Sequence, residues 1–277
     1  MKEFHIINVG NSLLSNFQRN NPEISKIQQS DNDFWKKAID DVNFMEGIFR
    51  FLESNPKERS AEMNTFLRVV EGKNPKEIEV YLSGTNTYSN EICVRTIQRY
   101  LRDKNFIVYN NPEFPGYFLE VNNYDEKYAK DEFVRGIAEM VDRFIYLVLK
   151  KKEEGYEVFM NPTGGFKAHV IACALAGFLT GCKVYYMNEE FRNVIFMPEL
   201  FYLPKGREVE LLEILSNRRP RSGAEYKSIA DKFVNELERL RVYGLVDVET
   251  DDDGKPFRVK ITARGILFLN TSKEVQK

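Results

Sequence analysis

Residues 157–179 read EVFMNPTGGFKAHVIACALAGFL, and this stretch decides the fold. Its first apolar run, Val158-Phe159-Met160, has the length and composition of a buried strand. Asn161-Pro162-Thr163-Gly164-Gly165 follows as a cluster of breakers. Phe166-Lys167-Ala168 then opens an Ala-rich segment, Val170 to Leu179, with small and apolar residues at helical spacing. Strand, Gly-rich turn and helix in this order expose backbone N–H groups at the turn. The helix start adds unpaired N–H groups and the positive end of the dipole, which together favour an anion. Lys167 supplies a full positive charge in the first turn. The same residues also fit a plain tight turn, and the G-x-x-x-x-G-K-[ST] spacing of a nucleotide-binding P-loop is absent.

The chain of 277 residues is long enough for one domain of ordinary size and a second, small one. Its formal net charge of −2 excludes a globally basic surface, so an acidic ligand must be held by a local patch. Cys93, Cys173 and Cys182 match no metal-ligand spacing and read as reduced, packed residues. The only two histidines, His5 and His169, exclude catalysis by a histidine cluster. The N-terminal MKEFHIINVG reads as a strand rather than a signal peptide, and no apolar run reaches transmembrane length. The expectation is a cytoplasmic protein with no membrane partner.

Phe4 to Val9 reads as a buried first strand that ends in Gly10-Asn11-Ser12, just before Leu13-Leu14 opens a helix. Ser12 fits two roles there, an ordinary helix N-cap or a ligand-facing hydroxyl at the carboxyl end of a strand. Asp31 to Glu53 has the spacing of one amphipathic helix, and Glu58 to Val70 that of another. The strand Glu77 to Leu82 ends in Ser83-Gly84-Thr85-Asn86-Thr87, a second polar strand end, followed by a helix from Ile92 to Leu101. Phe106 to Tyr109 is a short strand. Residues 110–117, NNPEFPGY, form an irregular loop, read either as plain surface or as a flap over a ligand. A long helix from Lys127 to Lys152 leads back to the strand of residues 158–160. Lys183 to Met187 and Asn193 to Met197 pair as a hairpin. The alternation predicts an α/β fold with a mostly parallel, Rossmann-like sheet covered by helices on both faces, over residues 1–204.

Residues 205–277 change character. Helices at Glu208 to Asn217 and Tyr226 to Tyr243 precede two strands, Leu245 to Val248 and Phe257 to Ile261, joined across Asp251-Asp252-Asp253-Gly254-Lys255. A short helix closes the chain. Helices followed by a hairpin predict a small winged helix-turn-helix domain. Lys227, Lys232, Arg239 and Arg241 alternate with Glu236 and Glu238, and a dedicated DNA reader is more one-sidedly basic. DNA binding is open but not favoured over a role in dimer contacts.

Three polar strand ends now coincide: Gly10-Asn11-Ser12, Ser83-Gly84-Thr85-Asn86 and Asn161-Pro162-Thr163-Gly164-Gly165-Phe166-Lys167. Together they resemble the CARF domain, the CRISPR-associated Rossmann-like sensor of cyclic oligoadenylates. With a winged helix behind it, the chain looks most like the stand-alone ring nucleases. The resemblance implies a homodimer that binds cyclic tetra-adenylate and cuts it to linear di-adenylate with a 2′,3′-cyclic phosphate, ending type III CRISPR signalling. It implies neither cofactor nor metal. Ser12 and Lys167 take the family's catalytic positions. Gly10, Asn11, Ser83, Gly84, Thr85, Asn86, Asn161, Thr163, Gly164, Gly165 and Phe166 take the ligand-binding ones. A CARF–winged-helix transcription regulator is the alternative. An effector ribonuclease of the HEPN type is not favoured, because its motif needs a histidine and residues 205–277 contain none.

Overall fold

A computed structural model describes residues 2–275 apart from 86, 110–125, 189, 191–192 and 199, and only the backbone of 126–133 and 273–275. The loop expected at 110–117 lies outside the described residues. The chain forms two compact units, Met1–Met197 and Pro198–Lys277. The division falls before Pro198 rather than at residue 204, because Tyr202 and Leu203 pack into the core of the second unit.

In the first unit six strands, β1 (Glu3–Asn8), β2 (Ile78–Ser83), β3 (Ile107–Val108), β4 (Glu157–Asn161), β5 (Lys183–Asn188) and β6 (Asn193–Phe196), lie in the order β3-β2-β1-β4-β5-β6. All neighbours are parallel except β6, which returns antiparallel to β5. This is a mixed α/β fold with a mostly parallel sheet. The order in which the chain adds strands reverses between β1 and β4, and such sheets bind ligands outside the carboxyl ends of the strands at that point.

Side chains alternate between two cores, as a pleated strand requires. On one face Ile7, Ile78 and Val80 meet Trp35, Ile48, Phe66 and Ile97 from the helices between β1 and β3. On the other, Phe4, Ile6, Val158 and Met160 meet Phe144 and Val148 of α7 (Glu126–Glu153) and Cys173 and Ala176 of α8 (Lys167–Thr180). The small residues of α8 allow close approach. A Cβ on Gly177 would come 2.5 Å from a methyl of Val184.

Between β1 and β2 the helices are shorter and more numerous than the periodicity predicts. The helix expected over residues 31–53 breaks at Asp41 into α2 (Asn32–Asp40) and α3 (Val42–Ser54). Asp41 takes an extended conformation, and its carboxylate accepts the N–H groups of Asn43 and Phe44. The helix expected over 58–70 breaks at Ser60 into α4 (Pro56–Arg59) and α5 (Ala61–Val69), with the Ser60 hydroxyl accepting the Met63 N–H. Capping side chains win over apolar spacing in both places, since each satisfies amide donors that a helix start leaves open.

His5 is fully buried, stacked on Phe159, with Nδ1 3.0 Å from the Tyr185 hydroxyl and Nε2 3.1 Å from Glu3. Burial pushes its pKa below the ordinary 6.5, against the opposing pull of Glu3. Burial also works against ionised Glu3, but the hydrogen bonds from His5 and Lys73 outweigh it and hold the carboxyl at about 2. Both groups therefore bind protons more readily in the unfolded chain, and stability falls as pH falls. The urea midpoint should drop from pH 7 toward pH 4, through His5 below about 6.5 and then Glu3 below about 4.5. A flat midpoint over that range would contradict this assignment.

The second unit contains α9 (Arg207–Leu215), β7 (Arg221–Ser222), α10 (Ala224–Lys232), α11 (Val234–Val242), β8 (Val246–Thr250), β9 (Pro256–Ile261) and α12 (Ala263–Val275). Its antiparallel sheet has the order β7-β9-β8, around a core that includes Leu211, Leu212, Phe233, Leu240 and Val259. The single helical region expected over 226–243 breaks at Phe233 into α10 and α11, and the closing helix runs to Val275. The aspartate run forms the hairpin tip. Asp251 Oδ1 accepts the N–H groups of Asp253 and Lys255, and Gly254 takes the left-handed φ of 76°.

No helix among the described residues is long and apolar enough to cross a membrane.

Candidate functional site

β1 ends at Asn8, and the Val9 N–H donates to Ser83 O at 2.7 Å, carrying the β1–β2 pairing one step further. The chain then turns through Gly10 and Asn11 into α1 (Ser12–Arg19). Asn11, not Ser12, holds the N-cap position, and its side chain makes no capping bond. The N-cap reading of Ser12 is thereby removed. α8 also begins without a side-chain cap, at Phe166. Two helix starts with uncapped amides thus flank one cleft, of about 350 Å³.

Gly10, Asn11, Ser12, Thr85, Thr163, Gly164, Gly165 and Phe166 line this cleft, so all three polar strand ends contribute to it. Ser83 is buried and gives its carbonyl to Val9. Gly84 lies against Asn90, where a Cβ would come 2.2 Å from Oδ1. Asn161 is fully buried and accepts the Thr163 N–H at 3.2 Å and its hydroxyl. These three stand behind the lining rather than in it. Asn86 lies outside the described residues. Lys167 is exposed, follows Phe166 as the first residue of α8, and makes no ion pair with any described residue.

Four further lining residues, Gln29, Ala61, Glu62 and Asn90, are absent from the sequence-based set. Glu62 is the most consequential. It is fully buried in the first turn of α5, and three donors converge on its carboxylate. Gly10 N–H reaches Oε1 at 2.8 Å, while the hydroxyls of Ser12 and Ser60 reach Oε2 at 2.6 and 2.7 Å. Asn90 is the second anchor. Its Nδ2 donates to Val9 O and Asn11 Oδ1, and its Oδ1 accepts the Thr85 N–H at 2.7 Å. Asn11 in turn donates to Gln29 Oε1 at 3.1 Å. Glu62 and Asn90 thus hold the turns after β1 and β2 through buried polar side chains, and the turn after β4 is tied to α5 by the Thr163 hydroxyl, 3.3 Å from that of Thr65, an arrangement that gives a fixed rather than an adaptable cleft.

The two glycine turns touch. A Cβ on Gly164 would lie 2.2 Å from Glu62 Oε1, 2.5 Å from Gly10 N and 2.7 Å from Asn8 O. Gly165 has a φ of 96°, comfortable only for glycine. Gly164→Ala should therefore destabilise the fold by about 1–3 kcal/mol through overpacking against backbone atoms that cannot swing aside. Urea unfolding measures this, and an unchanged midpoint would mean that the two turns are not in contact.

His169 lies under the loop rather than in the cleft. It is 5% exposed, burial lowers its pKa, and its carbonyl accepts Asn8 Nδ2 at 2.9 Å. No group of three or more His, Cys, Asp or Glu among the described residues is arranged to hold a metal ion.

Among solved structures, protein VC1899 from Vibrio cholerae is similar at 9% identity and a TM-score of 0.32, over 72% of this chain and 61% of that one. Can2 from Sulfobacillus thermosulfidooxidans, solved in complex with cyclic tetra-adenylate, is similar at 9% identity and a TM-score of 0.34, over 97% of this chain and 61% of that one. The chain thus spans about three fifths of the length of each, and both likenesses are distant. The family model "CRISPR-associated protein (Cas_APE2256)" matches residues 57–200, just over half of the chain and including β2, β4, α8 and the Gly-rich turn. The chain belongs to this family of CRISPR-associated proteins.

Proposed function

We propose that residues 1–204 act as a CARF domain and that the protein is a cytoplasmic ring nuclease. It binds cyclic tetra-adenylate and cuts it, without metal, to linear di-adenylate ending in a 2′,3′-cyclic phosphate. The observation that carries this reading is the meeting of the β1, β2 and β4 turns around one polar cleft beside Lys167. RNA breaks itself when a 2′-hydroxyl oxygen attacks the adjacent phosphorus in line, forming the 2′-O–P bond as the P–O5′ bond breaks, with the 2′-hydroxyl proton lost to solvent and the leaving 5′-oxygen taking one up to end as a hydroxyl. A site must hold that geometry and stabilise charge growing on the phosphate oxygens. Ser12 supplies a fixed hydroxyl in the cleft, and Lys167 with the uncapped start of α8 supplies the positive field. Phe166, 59% exposed beside the cleft, offers a flat face on which a base stacks.

A cyclic tetranucleotide has two-fold symmetry, and one cleft of this size holds only part of it. α8 leaves Ile171, Leu175 and Leu179, at i+4 spacing, 66%, 45% and 40% exposed. A second copy that covers this stripe would bring two sets of Ser12 and Lys167 to one ring. Light scattering and titration should give a dimer binding one ring per two chains. A monomer that binds one ring per chain would sink this part of the reading.

The deciding experiment incubates the protein with labelled cyclic tetra-adenylate in EDTA. Linear di-adenylate with a cyclic phosphate is expected, and a ring that binds but stays intact would reject the nuclease. A second reading, a CARF–winged-helix regulator, draws on the helix–helix–hairpin order of residues 224–261. Salt-dependent retention of duplex DNA would favour it.

A further inference from the structure

We propose that Glu62 fixes the hydrogen-bond polarity of Ser12, so that the cleft accepts a proton-donating ribose 2′-hydroxyl and disfavours a 2′-substituent that cannot donate. The inference rests on the cyclic-oligoadenylate reading and deepens it by naming what sets ribose specificity.

The argument is an inventory of one hydroxyl. A serine has one O–H donor and two acceptor lone pairs. Ser12 lines the cleft, and its proton goes to Glu62 Oε2 at 2.6 Å. One lone pair accepts the Ala61 N–H at 3.1 Å. What is left toward the cleft is a single lone pair. Glu62 cannot release the Ser12 proton by turning away. It is fully buried, Gly10 N–H holds its other oxygen at 2.8 Å, and the Ser60 hydroxyl holds the shared one at 2.7 Å. Ser60 is itself occupied, accepting the Met63 N–H at 3.3 Å. A carboxylate only accepts, so each bond in this chain has one direction. Ser12 therefore meets a ligand as an acceptor. A ribose 2′-OH satisfies it, whereas fluorine at the same position sets one acceptor against another. A phosphate oxygen is disfavoured at Ser12 for the same reason, and phosphate is left to the helix starts and Lys167. Glu62 is a positioning residue in this scheme, since it acts through Ser12.

Glu62→Gln is close to isosteric. Its carbonyl oxygen keeps the Gly10 N–H, while its amide nitrogen must donate to Ser12 and Ser60. The Ser12 proton then turns into the cleft, which suits fluorine and still suits a 2′-OH as acceptor. The test compares cyclic tetra-adenylate with its 2′-fluoro counterpart by rapid-mixing binding, before cleavage proceeds. It uses the wild type, Glu62→Gln and Ser12→Ala. The wild type should prefer the ribose ring roughly tenfold, the effect of one hydrogen bond gained or opposed. In Glu62→Gln that preference should fall to near one because the fluoro ring binds more tightly. In Ser12→Ala it should fall to near one without that gain. If both variants keep the wild-type preference, the inference is overturned while the ligand reading stands. The same holds if the wild type binds both rings equally. If the wild type binds neither ring, both fall together. Should Glu62→Gln not fold, Ser12→Ala still decides, because a preference retained without the hydroxyl cannot come from it.

Discussion

Lys167→Ala is expected to slow single-turnover cleavage of cyclic tetra-adenylate by about 10²–10³, the usual cost of removing one transition-state charge donor, and to weaken binding of the ring. Lys167 is exposed at the start of α8 and makes no ion pair with a described residue, so its charge is not spent within the fold. It sits where the helix dipole already favours an anion. The bound phosphate feels the ammonium in the ground state, which is why affinity falls. The pentacoordinate transition state concentrates more negative charge on its oxygens, and only that difference accelerates the step. Lys167→Arg, which keeps the charge, should recover binding more fully than rate. His169→Ala is the neighbouring control. Its ring is buried beneath Gly165, where a Cβ would come 3.6 Å from His169 Cβ, so cleavage should stay within a few-fold of wild type. Loss as large as that of Lys167→Ala would transfer the proton chemistry to the histidine. Full-rate cleavage by Lys167→Ala would remove the lysine from the mechanism.

What was legible in the sequence follows from how local each signal is. The β4 turn and α8 are written in adjacent residues, breakers and then small apolar residues at helical spacing, so strand, turn and helix are legible there. The same holds for the mostly parallel sheet, because strand and helix alternate along the chain. Glu62 could not be read that way. An apolar spacing of residues 58–70 predicts one helix, on which a glutamate is a solvated surface residue. Ser60 instead caps a new helix, and this break turns Glu62 toward Gly10 and Ser12, about fifty residues earlier in the chain. Asn90 is a related case. The apolar spacing places the helix start at Ile92, whereas Thr87 caps it and Asn90 lies in its first turn. In both cases a serine or threonine outweighed the apolar pattern, and the buried polar residue it positioned has meaning only through partners distant in sequence. Ser83 and Asn161 show the converse. They belong to polar strand ends, yet their side chains or carbonyls are consumed in holding the turns together.

Ser12→Ala should separate chemistry from binding. The hydroxyl is held by Glu62 and the Ala61 N–H, so alanine removes one member of a network whose other bonds, from Gly10 and Ser60 to Glu62, persist. The turn between β1 and α1 therefore keeps its shape. Binding of the ring should stay within about tenfold of wild type, the scale of a single neutral hydrogen bond. Cleavage should fall further, by about 10²–10³, because the 2′-oxygen loses the acceptor that directs its proton away from phosphorus and its lone pair toward it. Near-attack geometry is steep in this respect, and a nucleophile free to rotate spends little time in line. The measurement is single-turnover cleavage beside equilibrium binding of the same ring, in EDTA, with unfolding midpoints to show that the variant is folded. Parallel losses of affinity and rate would make Ser12 a general ligand contact rather than a guide for the attacking oxygen. Wild-type cleavage by both Ser12→Ala and Lys167→Ala would end the ring-nuclease assignment at this cleft. A cyclic-nucleotide sensor acting through the helix–hairpin unit would then fit the protein better.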